Sequence, residues 1–514
     1  MAGTLSTPEV PSPADPDPDV GEAGSGPVRW PLAVLTVAFA VSRVGFALAG
    51  IRMDMSTLDP RYAVDDQWQL LSVGLLKHRL LDSVWHLHSQ PPLYNLVVGL
   101  LVKLPTGLQS PAAVTCFLAM GLAMVLAAYL LMVDLGVPRG AALGVALVLV
   151  VTPEYVLFEN WLFYAYPTAA VLTVSALGLV RYLRTRRPGW GLLCFGGLAG
   201  LVLLNSSFQL EWFLAIVAVV AVTLRSTWRQ VLALAAVPVL LVGIWVVKDA
   251  VLFGTATTSS WLGMNWARTT FVLVPHAQLE TMVRDGTLTP IVLHPPFSPV
   301  AIYDPAFVRV ARTGDPALDQ RVKADGQPNY DNLVYVAAAK EYLHDDIAYI
   351  ETRPGQYLSH VTIGAKVWFV PGDQYFQVWE HNAGHIAGYT KIYDVGADWQ
   401  VQQDPKVAFN ALFFSAAPTA SQIPWATVAV FALALLGGPV LAWRRREDPV
   451  TAAAVAVLWF TVAYGFVVTS LVEVGENNRF RFELGPVPVV LAAAVVTAAV
   501  RAGRRRRVSS RRSG

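Results

Sequence analysis

Asp65 and Asp66 are adjacent carboxylates, His78, His86 and His88 are imidazoles, and the amide Gln90 precedes Pro91-Pro92, all inside the stretch DDQWQLLSVGLLKHRLLDSVWHLHSQPPLYN. Such groups move protons: a carboxylate can take one from a hydroxyl, and an imidazole can relay one near neutral pH. The stretch starts shortly after an apolar run, Trp30 to Gly50, about as long as the roughly 20 residues a helix needs to cross a bilayer. Ionisable groups beside a membrane are costly unless they are solvated or used, which makes the stretch a candidate site. The plainer reading is a wet surface loop, with Asp65 or Asp66 capping an amphipathic helix that carries Trp68, Leu71 and Leu75 on one stripe.

Further polar residues recur beside apolar runs. PEYVLFENWLFYAYP holds Glu154 and Glu159 among aromatic residues, either as a site or as an interfacial aromatic belt with two solvated acids. GENNRFRFELGP places Glu476, Arg479 and Arg481 between two apolar runs, where guanidinium forks could hold a phosphate or simply close a salt-bridged turn. Lys248 ends another run, as a snorkelling anchor or a second phosphate contact. Trp68, Trp85, Tyr94, Trp161 and Trp261 offer flat apolar faces, and His86, His88, Gln90 and Tyr94 are the candidate substrate contacts in the first cluster.

What must position these groups is a membrane bundle. The 514 residues are 54% hydrophobic and 14% charged, with a mean hydropathy of +0.47, which excludes an ordinary soluble domain. The net charge of +2 sums an acidic head and a basic tail and gives no reason to expect a nucleic-acid partner. Cys116 and Cys194, the two cysteines, both lie in apolar runs, so neither a disulfide framework nor a thiolate metal site is available. The head, 1–28, is rich in Pro, Gly, Ser and acids and reads as a disordered tail with no cleavable signal pattern.

Apolar runs at 30–50, 112–133, 141–155, 162–180, 189–204, 213–224, 231–247, 425–443, 451–472 and 484–500 give about ten transmembrane helices in an all-α membrane protein. Short connections rich in Arg mark the cytoplasmic side, here Arg139, Arg181 to Arg187, Arg225 with Arg229, Arg444 to Arg446 and the tail 502–514. Pro92 to Leu104 is too short to span, and counting it as a span would turn every later Arg-rich connection outward. It therefore reads as a juxtamembrane helix in one long external loop, 51–110. Both termini are then cytoplasmic and the polar clusters lie on the outer face. The divisions that follow are an N-terminal transmembrane module 29–248, a long external loop region 249–422 and C-terminal transmembrane helices 423–501. Within the long region, helical periodicity runs from Leu333 to Ile350, with Asn329 or Asp331 as cap.

The acidic pair of the first loop, the block HSQPPLYN, the acid of the next external turn and the late GENNRFRFELGP together resemble the GT-C superfamily of polytopic glycosyltransferases. The nearest resemblance is to a bacterial branch with a PPLY-type block and a KxxxxFG…SWxGxN pattern, matched by Lys248, Phe253, Gly254, Ser260, Trp261, Gly263 and Asn265. The matches are scattered over most of the membrane region. The resemblance implies a GT-C-like bundle, a polyprenyl-phosphate-linked sugar as donor, a lipid or glycan acceptor, and a first-loop carboxylate as general base. Asp65 or Asp66 matches that acid, Glu159 the acid of the second turn, and Arg479 with Glu476 the charged pair before the last span. Some members use a divalent metal such as Mg or Mn. Here no DxD triplet lies near the cluster, and Asp65-Asp66 stands where the familiar dyad is Asp-Glu followed by Tyr, so the metal and the identity of the base stay open. Asp65 is favoured slightly as the base because Asp66 lies nearer the expected cap. The competing readings are a lipid or sugar transporter or flippase, which would show internal repeats or mid-membrane ionisable groups, and a non-catalytic relative, since likeness alone is an associational argument.

Overall fold

The computed structural model describes residues 29–55, 68–323, 326–375, 378, 382–398 and 424–512. The acidic pair Asp65-Asp66 and the head 1–28 lie outside them. Among the described residues every regular element is a helix, and extended pairing is limited to the isolated bridges Asp54–Trp161 and Val322–Pro328. Helices are the expected outcome, because a chain in lipid must satisfy its backbone groups within each span.

All ten apolar runs form helices. Seven are long and apolar enough to cross a membrane: Trp30–Leu48, Thr106–Asp134, Ala165–Thr185, Arg225–Phe253, Trp425–Arg444, Pro449–Val472 and Val487–Arg507. An eighth is a broken pair, Arg139–Val151 and Pro153–Glu159, bent by 54° where Pro153 starts a new helix. The other two, Pro188–Leu204 and Leu210–Thr223, are shorter. Ala165–Thr185 is the centre of the bundle, with 78% of its apolar window buried, against 17% for Trp30–Leu48, whose Val37, Val41 and Leu48 face outward. The central helix is approached closely by Pro188–Leu204: a Cβ on Gly178 would stand 3.0 Å from the Cys194 backbone nitrogen, the small-residue packing typical of helices in membranes.

The first long connection differs from the expected single amphipathic helix. Trp68 to Ser72 is not helical, and Val73–His78 and Leu80–His86 form two short helices broken at Arg79. Pro92–Val102 follows as an 11-residue helix started by Pro91-Pro92, too short to span. The later long region has its own core, built by Trp261, Met264, Tyr303, Tyr335, Tyr342 and Tyr349. Its main helix is Leu333–Thr352, and its cap is Asn332, whose side chain accepts from Val334 N. Asn329 and Asp331, the expected caps, are otherwise engaged: Asn329 donates to the Ala317 and Gln320 carbonyls, and Asp331 accepts from His88 N.

The two ends of the bundle are chemically sorted. At one end the Arg-rich connections meet, with Arg181 Nε 3.0 Å from Asp134 Oδ2 and Arg186 Nη1 donating to Ser226 Oγ at 3.2 Å. The last helix continues through the basic run to Arg512. The polar connections collect at the opposite end. A cysteine at Gly107 is expected to react with an impermeant thiol reagent applied from outside, and one at Gly189 is not; both positions are exposed with open space around an added Cβ. Labelling from outside at Gly189, or its absence at Gly107, would reverse or break the assigned topology.

Candidate functional site

A cavity of about 240 Å³ opens where five connections converge. Trp68 and Gln90 come from the first, Tyr164 from the second, Ser207 and Gln209 from the turn after Pro188–Leu204, Trp261, Asn265, Arg268 and Phe297 from the long region, and Glu473, Glu476 and Arg479 from the last turn. These are the five connections that the charge pattern assigns to one face.

The charged wall is a network. Arg479, 2% exposed, donates to Glu476 Oε2 from Nε at 3.0 Å and from Nη2 at 2.6 Å, and from Nη1 to Glu483 Oε1 at 2.6 Å and Tyr164 Oη at 3.1 Å. Glu483 also accepts from Asn205 Nδ2 at 2.7 Å. Arg268 Nη1 lies 2.9 Å from Glu473 Oε1 and 3.4 Å from Glu476 Oε1, so two carboxylates share one nitrogen. Burial works against ionising Glu476, but Arg479 and then Arg268 outweigh it and hold its carboxyl below the usual range. Glu473 goes the other way: burial, with the like charge of Glu476, overrides Arg268 and pushes it up to about 8. The aromatic wall is Trp68, Trp261 and Phe297, with Phe297 5.3 Å from Trp68 and 5.0 Å from Trp261 between ring centroids. Such faces suit the apolar face of a sugar ring.

Of the residues the sequence singled out, the structure brings Gln90, Glu476 and Arg479 to the cavity. Trp68, the first described residue after Asp65-Asp66, lines it as well. The other motif residues lock the connections together. His88 Nε2 donates to the Asp331 carbonyl at 2.9 Å, and its Nδ1 meets Ser260 Oγ at 2.8 Å. Burial pushes this imidazole down to about 3, so it stays neutral. Asp331 Oδ1 accepts from His88 N and Ser89 N, at 2.9 and 3.1 Å. Lys248 Nζ donates to the Leu87 carbonyl at 2.7 Å and sits 2.6 Å from Asp249. Thus HSQPPLYN, the KxxxxFG lysine and the serine of SWxGxN form one interlock. Tyr94 donates to the Leu162 carbonyl, and Asn95 holds Gln69 and Leu71, fixing the approach to Trp68.

Three more lie elsewhere. Glu159, 1% exposed, is bound by Arg43 through Nε at 2.7 Å and Nη2 at 3.0 Å and accepts from Tyr166. Arg43 Nη1 also reaches the Val150 carbonyl, which the helix break frees. Arg481 donates to the Trp368 and Val370 carbonyls and pairs with Glu154 at 3.2 Å, at a separate pocket of about 250 Å³. His86 lies 3.5 Å from Asp315 and 3.7 Å from Asp82.

Sequence reasoning missed Arg268 and Glu473. Arg268 had a readable signal: Trp261, Asn265 and Arg268 are spaced i, i+4, i+7, which puts them on one face of the Leu262–Thr270 helix and its lead-in.

No family model and no curated protein matches the chain. Two solved structures are loosely similar to it. One is the archaeal oligosaccharyltransferase AglB from Archaeoglobus fulgidus, in complex with an inhibitory peptide and a dolichol-phosphate, at 13% identity and a TM-score of 0.39 over 94% of this chain and 52% of that one. This chain therefore spans about half the length of AglB. The other is ArnT from Cupriavidus metallidurans bound to undecaprenyl phosphate, at 16% identity and a TM-score of 0.33 over 87% of this chain and 76% of that one.

A divalent metal, which the resemblance allows, finds no fitting donor set among the described cavity residues, because Glu473 and Glu476 already face arginines. One group of metal-ligand type does occur among the described residues, Asp82, His86 and Asp315, with ligand atoms within 4.8 Å of one another. It is away from the cavity, and Arg79 Nη2 already contacts both aspartates.

Proposed function

We propose that the protein is a membrane glycosyltransferase that moves a sugar from a polyprenyl-phosphate donor to a lipid or glycan acceptor at the outer face of the membrane. The observation that carries this reading is the cavity itself, an aromatic and arginine-containing chamber where all five polar connections of a hydrophobic bundle meet. A lipid-linked donor can leave its chain in the bilayer and present only its head there.

In this reading the acceptor hydroxyl attacks the anomeric carbon while Asp65 or Asp66 takes its proton, and the bond from that carbon to the phosphate oxygen breaks with the electron pair leaving on phosphate. Direct displacement inverts the anomeric centre. Arg268 is the better phosphate contact than Arg479 or Arg481, because among the described residues its Nε and Nη2 are uncommitted whereas the other two guanidinium groups are filled by internal partners. Charge held in place before reaction stabilises the departing phosphate without reorganisation. Trp261 and Phe297 would hold the sugar. A transporter or flippase fits less well, since the cavity's charged groups gather at one end of the bundle rather than at mid-depth.

The experiment is transfer of radiolabelled sugar by the purified protein in nanodiscs from a panel of polyprenyl-phosphate sugars. Transfer from one donor class supports the reading. Movement of intact donor between leaflets without transfer would replace it with the flippase.

A further inference from the structure

Glu473 and Glu476 meet at one arginine nitrogen but are held very differently. Glu476 keeps two hydrogen bonds from Arg479, at 3.0 and 2.6 Å, and one from Tyr375 at 3.3 Å. Among the described residues Glu473 has Arg268 as its one ion-pair partner and the Val474 backbone N–H as a hydrogen-bond donor, and although Arg268 Nη1 is 2.9 Å away, Glu473 Oε1 accepts no aligned hydrogen bond. Glu473 is 4% exposed, and the Arg268 side chain is 23% exposed toward the cavity. The charged groups facing Glu473 are Arg268 from the Leu262–Thr270 helix and Glu476 and Arg479 from the last turn. The Pro354–Val367 helix approaches the Glu473 backbone through Gly364, where an added Cβ would lie 2.9 Å from the Glu473 carbonyl oxygen.

We infer that Arg268 and Glu473 form a proton-linked anion clamp, in which a phosphate monoester head takes the Arg268 guanidinium in place of Glu473 and Glu473 takes up a proton from solvent. A buried carboxylate stripped of its nearest cation does not stay charged, because its desolvation is then poorly compensated: Arg479, the other cation facing Glu473, is committed to Glu476 and Glu483. Glu476 stays ionised, because Arg479 holds it. No covalent bond changes: the carboxylate becomes a carboxylic acid, and the cavity exchanges one internal anion for the ligand's. The sign follows from linkage. Below about pH 8 Glu473 already carries the proton, so the anion binds without uptake. Above it binding must draw a proton from solution, and affinity falls as pH rises.

The inference rests on the cavity being a phosphate-lipid site. Its test is calorimetric titration of farnesyl phosphate into the full chain in nanodiscs, with farnesol as the uncharged control. The second ionisation of a phosphate monoester lies near pH 6, so the probe stays a dianion throughout the range above about pH 7.5 and its own titration does not contribute. Between about pH 7.5 and about pH 9 the Kd is expected to rise about eightfold, with close to one proton taken up per molecule at the upper end, counted from buffers of different ionisation enthalpy. Glu473→Gln should bind with an affinity flat over that range, and Arg268→Gln should lose binding throughout.

A flat wild-type Kd, an unchanged slope in Glu473→Gln, binding retained in Arg268→Gln, or farnesol binding as tightly as its phosphate would each overturn the clamp. If Glu473→Gln does not fold, the wild-type proton count decides alone, and no uptake near pH 9 overturns it. Binding without pH dependence would sink the clamp and leave the transferase reading standing. Proton-linked binding in a protein that transfers no sugar would do the reverse.

Discussion

Arg479→Ala is expected to lower the stability of the folded protein by about 3 to 5 kcal/mol, the range for breaking a buried ion pair from one side. The sequence suggests a smaller and purely functional effect, a loss of about 1.5 to 3 kcal/mol in donor binding with the fold intact. The contacts argue otherwise. Removing the guanidinium strands Glu483, 1% exposed, without its cation and strips Glu476 of its two closest hydrogen bonds. It also unties Tyr164, which lines the cavity from the second connection. The measurement is thermal unfolding in nanodiscs for Arg479→Ala, with Arg479→Ala/Glu483→Gln beside it. The double variant should recover part of the loss, because it no longer buries an unpaired charge. A single variant with wild-type melting and weakened donor use would free Arg479 for the ligand role that the sequence suggests.

Asp65→Asn and Asp66→Asn are expected to differ, with one of them losing about 100-fold to 10,000-fold in transfer rate, the usual contribution of a positioned general base. Adjacent side chains point about 100° apart in a helix and to opposite faces in a strand, so only one of the pair can face a bound hydroxyl. The sequence favours Asp65 by giving Asp66 to a helix cap at Gln67. The first described helix after the pair begins at Val73, with Ser72 at its N-cap position, which removes that reason. Trp68, the first described residue after the pair, lines the cavity and is held in place through Asn95 bonding to Gln69 and Leu71. Single-turnover transfer by each variant decides the assignment. Equal activity in both, at normal expression, would remove the pair from the mechanism.

Fold was more legible than site, for a physical reason. A membrane span announces itself by local composition, so each of the ten apolar runs could be read alone, and the Arg pattern ordered them. The 11 residues of Pro92–Val102 are recognisable by length as a shorter apolar helix than the spans. Interlocking residues were not distinguishable from binding residues. His88 and Asp331 are 243 residues apart in sequence, and nothing local shows that one satisfies the other. An imidazole that pins two loops and one that touches a sugar look the same until the partner is known. Arg481 and Lys248 are ambiguous in the same way, since their charge meets carbonyl oxygens and carboxylates inside the protein. Glu473, just past the end of an apolar helix, drew no attention because its importance comes from Arg268, far away in the chain.

The most direct measurement is an electron cryomicroscopy structure of the protein in nanodiscs with a polyprenyl-phosphonate sugar, whose carbon link cannot be transferred. The account predicts the sugar in the cavity against Trp261 and Phe297, and a phosphonate oxygen at hydrogen-bond distance, about 3 Å, from Arg268. Head-group density at the Glu154–Arg481 pocket, with the cavity between Trp68 and Arg268 left empty, would contradict it.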